Sequence, residues 1–333
     1  MTAMPPWLVR QLQELRRQQG HALLLSGPAG MGQFDLAMAL AQAWLCEQPT
    51  EQGACGQCAS CHAIEVKTHA DLKMLLPETL CLELGWPIDP KTQEKIDKKE
   101  VKPSKWIRVD AAREAVGFTQ LTQSRGRGQV VLIYPAERLN VESANTLLKT
   151  LEEPTGQTRF IVATEAAHQL LPTIRSRCLT HAMQWPDLAE AQAWLAQHTQ
   201  ASPADIACAL KATGGLPSEA LEWLQGGFTA AAWGALPKSL WIQEPGPLAD
   251  WPIARQMDAL QKLCHDLQCL VTHAEPRYFD SAFLPKKQLP SLQNLVSWQR
   301  DLQKAAQSME HPYMPALLQE AWVLRAAQAL HNS

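Results

Sequence analysis

Four cysteines stand within residues 46–61, as Cys46, Cys55, Cys58 and Cys61, in the pattern C-x8-C-x2-C-x2-C. A C-x2-C step lets two thiolates reach one ion without backbone strain. Four thiolates complete a closed tetrahedral shell of the kind zinc takes in structural sites, with no coordination position left for a substrate. Unpaired loop thiols and two disulfides are the other readings, and the adjacent His62 could stand in for one sulfur. The N-terminus "MTAMPPWLVRQLQELRRQQG" reads as an amphipathic helix opening after Pro5-Pro6, not as a secretion signal. A reducing, cytoplasmic compartment is therefore expected, and it favours metal over disulfides. Cys81, Cys178, Cys208, Cys264 and Cys269 lie among apolar residues and read as ordinary buried thiols.

A second stretch with chemical potential is "LLLSGPAGMGQF", Leu23 to Phe34. An apolar run feeds a glycine-rich loop, with Gly27 and Gly32 spaced as in Gly-x-x-x-x-Gly-Lys-Ser/Thr. In such a loop, backbone N–H groups and the following helix N-terminus cradle phosphate oxygens. The lysine neutralises the β- and γ-phosphates and the hydroxyl helps hold magnesium. Here Gln33 occupies the lysine position and Phe34 the hydroxyl position. Gln33 carries no charge, and Phe34 cannot ligate a metal. The acidic pair that would end the second phosphate-handling strand is missing too. "VVLIYPAERLN" supplies Tyr134 and Pro135 there, and Glu137, two residues further on, is expected to face elsewhere. A loop that keeps its glycines and loses lysine, hydroxyl and acids together points to an inherited phosphate loop without hydrolytic chemistry.

These residues need a scaffold, and the first half of the chain supplies alternating strand and helix signals. His21 to Ser26 reads as a buried strand, Phe34 to Leu45 as a helix and "DLKMLLP" (Asp71 to Pro77) as a second strand. "VDAAREAVGFTQL" reads as a helix, "QVVLIYP" as a strand, "VESANTLLKTLEEP" as a helix stopped by Pro154, and "RFIVATE" as another strand. Strands alternating with helices imply a parallel sheet covered on both faces. The polar stretch Glu83 to Lys105, rich in Lys, Asp and Pro, is expected to be a mobile surface loop. After Cys178 strand signals fade. Short helices punctuated by Pro186, Pro203 and Gly214-Gly215 give way to a Pro- and Trp-rich segment and then to long helical patterns.

"ESANTLLKTLEEP" (Glu142 to Pro154), "FIVAT" (Phe160 to Thr164) and "TIRSRC" (Thr173 to Cys178) together resemble the bacterial clamp-loader subunits of the AAA+ class. The cysteine insert after the phosphate-loop helix matches that family as well. The degenerate nucleotide motifs are similar to those of its delta-prime branch, the member of the DNA polymerase III clamp loader that does not hydrolyse ATP. The likeness covers roughly the first 225 residues, and beyond them it rests on length and helicity.

The resemblance implies an α/β-then-all-α chain. Residues 1–183 would form an AAA+ parallel-sheet domain with a structural zinc module held by all four cysteines. Residues 184–226 would form a helical lid, and 227–333 a helical collar. It implies that Arg177, within Ser176-Arg177-Cys178, reaches a neighbouring subunit's ATP as an arginine finger, while Arg175 is solvated or salt-bridged. In the lid, "GGLPSEAL" puts Ser218 where family ATPases carry a nucleotide-sensing arginine. Productive ATP binding is not expected. The implied partners are the motor subunits (gamma/tau) and the delta subunit, with the sliding clamp and primed DNA engaged through the complex.

The bulk properties fit. A formal net charge of −3 on 333 residues gives no case for tight, sequence-blind DNA binding, and no apolar run approaches membrane-spanning length. "SRGRG", Ser124 to Gly128, reads as a solvated basic turn that could touch DNA phosphates. The twelve tryptophans are too scattered for a base-stacking platform and are expected to fill helix–helix and subunit interfaces.

Overall fold

Four mainly apolar runs become strands of one parallel sheet, and a fifth strand, Leu179–Ala182, is added at its edge beyond Cys178, where a mostly exposed Leu-Thr-His-Ala segment carries no apolar signal. In the computed structural model, which describes residues 4–285, 288–307 and 314–331, the strands are β1 (Ala22–Ser26), β2 (Leu72–Leu75), β3 (Gln129–Ile133), β4 (Thr158–Thr164) and β5 (Leu179–Ala182). The order is β2-β3-β4-β1-β5, and every pairing is parallel. β1 pairs Leu24 with Val162 on one side and with Thr180 on the other. Leu23, Leu24 and Leu25 are at most 1% exposed. A strand covered on both faces reads as the unbroken apolar run seen in the sequence.

The connections carry α1 (Pro6–Arg16), α2 (Gln33–Leu45), α3 (Ala59–Glu65), α4 (Glu78–Leu84), α5 (Pro90–Asp97), α6 (Val109–Thr119), α7 (Val141–Glu152) and α8 (Pro172–Arg175). α2 packs on β1, β3 and β4, and α6 packs on α7. α7 opens with Asn140, whose side chain accepts from Ser143 N at 2.7 Å, and Pro154 lies just beyond its end. Its Leu147 and Leu151 are fully buried with Val131, Ile133, Phe160 and Val162. Each contributes on the order of 1.5–3 kcal/mol of burial, so this face fixes the "LLKTLEEP" segment against the sheet.

The stretch 83–105 is not the loop that its composition suggested. It holds the end of α4 and all of α5. Pro90 opens α5, and the Asp89 carboxylate accepts from Thr92 N at 3.0 Å. The base of the excursion is stapled. Glu78 Oε2 accepts from Ser104 N at 2.8 Å, Thr79 N donates to Ser104 O at 3.2 Å, and Arg108 pairs with Glu78 at 3.0 Å. α5 buries none of its residues, which is why it lacks an apolar stripe.

The chain divides into two compact units between Trp185 and Pro186. The second holds α9 (Leu188–His198), α10 (Pro203–Ala212), α11 (Pro217–Gln225), α12 (Ala230–Trp241), α13 (Ile253–Val271), α14 (Leu292–Gln307) and α15 (Pro315–His331). α9, α10 and α11 pack on one another, and α12 to α15 form a second group. Aromatic rings join the two groups. Trp233, fully buried, stacks on Phe279 with centroids 4.4 Å apart and contacts Trp223 at 5.5 Å and Trp251 at 5.8 Å. The expected outer limits of the domains, residues 1 and 333, lie outside the described residues.

Candidate nucleotide loop, arginine and thiol centre

The glycine loop runs from the end of β1 to the start of α2, at the carboxyl end of the parallel strands, where open α/β sheets bind ligands. Its glycines serve packing. Gly32 has φ +85°, a left-handed conformation, and a Cβ there would lie 2.8 Å from Leu8 Cδ1. A Cβ on Gly27 would lie 2.8 Å from Met183 Cβ. Met31, within the loop, is itself buried. Gln33 is 1% exposed and turns its amide back into the loop, donating to Gly27 O at 2.8 Å and Pro28 O at 2.7 Å. A phosphate cradle needs a cation at this position. The amide instead closes the loop on its own carbonyls.

The magnesium side is filled as well. The Phe34 ring lies against Tyr134, centroids 5.1 Å apart. Tyr134 donates its hydroxyl proton to Glu165 Oε1 at 2.6 Å, and burial, reinforced by that carboxylate, pushes the phenol pKa far up. Glu137 does not simply face away. Its carboxylate accepts from Thr164 Oγ1 at 2.7 Å and from Glu165 N at 3.3 Å, pinning the end of β4. The aromatic pair takes the place of hydroxyl and acid, and among Gly27, Gly32, Gln33 and Phe34 no side chain carries positive charge.

Arg177 follows α8. Its Nη2 pairs with Glu152 Oε1 at 2.6 Å, and its Nη1 donates to Thr173 O at 2.8 Å. Its Nε is buried without a partner among the described residues. The guanidinium therefore rests on the last residue of α7. Arg175 is exposed. Ser218 stands exposed at the second position of α11. Sequence patterns marked Glu152 only as part of a motif and gave no sign of its pairing with residue 177.

The four cysteines do meet. Cys46 caps the C-terminus of α2, Cys58 caps the N-terminus of α3, and Cys61 lies within α3. Sulfur–sulfur distances are 3.8 Å for Cys46–Cys58, 3.9 Å for Cys55–Cys61, 3.5 Å for Cys58–Cys61 and 3.7 Å for Cys46–Cys61. A tetrahedral shell with bonds of ~2.3 Å sets sulfurs ~3.8 Å apart, so the arrangement fits zinc. Backbone N–H groups point at the sulfurs. Cys55 N donates to Cys46 Sγ at 3.2 Å, Cys58 N to Cys55 Sγ at 3.3 Å, and Cys61 N to Cys58 Sγ at 3.4 Å. Such donors favour thiolate over thiol. Burial works against ionising these thiols and prevails at Cys46 and Cys61, which are pushed up, whereas at Cys58 the donor from Cys61 and other neighbours outweigh it and hold that thiol below its ordinary value. None of the nine cysteines is in a disulfide. His62 turns away to Glu65 at 3.9 Å, exposed, and is no ligand.

"SRGRG" is an exposed turn from Ser124 to Arg127, as its composition suggests, but its arginines are engaged within the chain and do not form an open basic patch. Arg127 donates Nε and Nη2 to Cys46 O at 2.9 and 2.7 Å. Arg125 pairs with Glu47 at 2.8 Å. The backbone N–H groups of Ser124 and Arg125 donate to the fully buried Asp71 carboxylate at 2.8 and 3.0 Å. No local pattern marks these contacts, because residues 127 and 46 are 81 apart in sequence.

A phosphate-loop β–loop–α unit at the switch point of a parallel sheet, followed by helices, defines a degenerate AAA+ domain with a helical extension. The family model described as "DNA polymerase III, delta subunit" matches residues 6–187, and the chain belongs to the DNA polymerase III delta-prime/clamp-loader family. It is similar to DNA polymerase III subunit delta' of Pseudomonas aeruginosa, with 39% identity over 64% of this chain and 58% of that one. The Escherichia coli subunit delta' shares 34% identity over 66% of this chain and 61% of its own length. DNA polymerase III subunit tau of Escherichia coli shares 32% over 48% of this chain and 21% of its own. The chain thus spans about six-tenths of the length of the delta' relatives it matches. Among the described residues no helix is long and apolar enough to cross a membrane.

Proposed function

We propose that this chain is a non-hydrolysing structural subunit of a DNA polymerase III clamp loader. It sits beside gamma/tau motor subunits and a delta subunit, and through them acts on the sliding clamp and primed DNA. The observation that carries the reading is the glycine loop filled by its own side chains, with Gln33 bonded to two loop carbonyls and Phe34 lying on Tyr134. Such a loop keeps its packing role and has no means of neutralising a triphosphate. The similarity to named delta' and tau subunits supports the assembly, and in this reading residues 184–226 form a lid and 227–333 a collar.

Catalysis then falls to Arg177 in trans. A fixed guanidinium placed beside a neighbour's γ-phosphate stabilises charge in the transition state. In the isolated chain that guanidinium is held by Glu152 and by the Thr173 carbonyl, so docking exchanges one oxygen partner for another. The zinc at Cys46, Cys55, Cys58 and Cys61 is structural. It lies beyond the far end of α2 from the glycine loop, a helix of 13 residues and so ~20 Å. Calorimetric titration of the purified chain with magnesium-ATP tests the first part. No binding is expected at micromolar ATP, and Gln33→Lys alone creates no turnover because Tyr134 and Pro135 still lack acids. Micromolar binding by the parent chain would overturn the reading.

A further inference from the structure

We propose that Arg127, Arg125 and Glu47 form an outer clamp on the four-thiol centre, so that metal retention and the seating of loop 124–128 are one coupled equilibrium. The inference rests on reading that centre as a zinc site. Four thiolates around a divalent cation leave two net negative charges, and both Cys46 and Cys61 are buried. Charge in such surroundings is costly unless it is compensated and hydrogen-bonded. Arg127 meets part of that need, since the charge of Arg125 is paired with the Glu47 carboxylate. Arg127 places both arms of its fork on the single carbonyl of Cys46 and also donates to Glu47 O at 3.3 Å. It thereby caps the C-terminus of α2, where the helix dipole favours a cation. Arg125 lies one residue further along the cysteine segment, on the Glu47 carboxylate.

Glu47 ties the two halves of the centre together. The Oε1 atom that receives Arg125 also accepts from Ser60 N and Ser60 Oγ, each at 3.2 Å. Ser60 sits in the first turn of α3, beside Cys61. His69 Nε2 lies 3.2 Å from Ser60 Oγ, and Asp71 N donates to His69 Nδ1 at 3.1 Å. The Asp71 carboxylate in turn fixes the backbone of Ser124 and Arg125. The circuit runs from Cys46 through Arg127 and the loop before β3 to Asp71 at the start of β2, and returns through His69 and Ser60 to Cys61. The loop cannot leave without freeing the Cys46 carbonyl. The centre cannot open without loosening Glu47.

The test uses the full chain purified with zinc, with release followed by a chelating dye. Partners outside the ligand shell that orient the ligands contribute about tenfold to hundredfold in metal affinity. Arg127→Ala is expected to speed release by about that factor. Arg127→Lys is expected to fall between, because an ammonium cannot fork onto one carbonyl. Arg113→Ala, which removes an ion pair with Asp110 on α6, should leave release unchanged. If Arg127→Ala does not fold, Glu47→Gln takes its place, with release several-fold faster. In the reciprocal arm, stripping the zinc should raise amide exchange at residues 124–128 and not along β4. Release within twofold of the parent in a folded Arg127→Ala chain would overturn the clamp, as would unchanged exchange at 124–128. A parent chain that carries no zinc would instead overturn the metal reading beneath it.

Discussion

At the scale of single residues, side chains at inherited positions have been turned inward. Gln33 bonds to its own loop, Tyr134 to Glu165 and Arg177 to Glu152. His181, which no motif marks, is also held by a partner within the chain. It lies on β5, with Nε2 2.9 Å from Gln11 Oε1, and Gln11 is fully buried on α1. Burial lowers the His181 pKa from the ordinary 6.5. A base with a depressed folded pKa binds fewer protons folded than unfolded. Its stabilising effect is therefore present above ~6.5 and is lost as pH falls toward the folded value. Melting of the parent between pH 7.5 and 5.5 should show that loss, and His181→Gln should reduce the slope without abolishing it, because burial lowers His69 in the same direction. An identical slope in the two proteins would contradict the assignment.

Among the elements, the legible ones were those whose pattern is local. Apolar runs such as Leu23–Leu25 and the caps of α7 show in the chain itself. The C-x8-C-x2-C-x2-C spacing announced four sulfurs that do meet. α5 was missed because a helix that buries nothing has no stripe to read. The Arg127 fork and the Glu152–Arg177 pair were missed because the sheet and its helices bring those residues together, and no spacing in the chain encodes that. The glycine loop lay between these cases. Its spacing was readable, but its purpose was not, since the reason for Gly32 is Leu8 of α1 and a left-handed φ. Gly32→Ala should cost roughly 1–2 kcal/mol from backbone strain alone. A cost of that size lowers the melting temperature by several degrees in a unit of this size. A thermal melt identical to the parent's would show that the loop backbone is not constrained as described.

On the scale of the whole molecule, the two compact units differ in what holds them. The first rests on the apolar strands and on α2, α6 and α7. The second is joined across its helix groups by Trp223, Phe228, Trp233, Trp251 and Phe279. Trp233→Ala should cost about 3–5 kcal/mol, and near-ultraviolet circular dichroism should register the loss in the helical unit while the parallel sheet persists. An unchanged spectrum and melt would mean that the ring cluster is not the joint. The proposed role of the assembled protein is a division of labour in which this chain gives an arginine and takes no nucleotide. The most direct measurement is single-turnover ATP hydrolysis in a reconstituted complex carrying Arg177→Ala. The lost Glu152 pair is partly exposed and contributes at most about 1 kcal/mol, so the variant should fold and assemble. Turnover at the adjacent site should fall by roughly a thousandfold, whereas Arg175→Ala changes it little. Full turnover in a complex that assembles with Arg177→Ala would contradict the account.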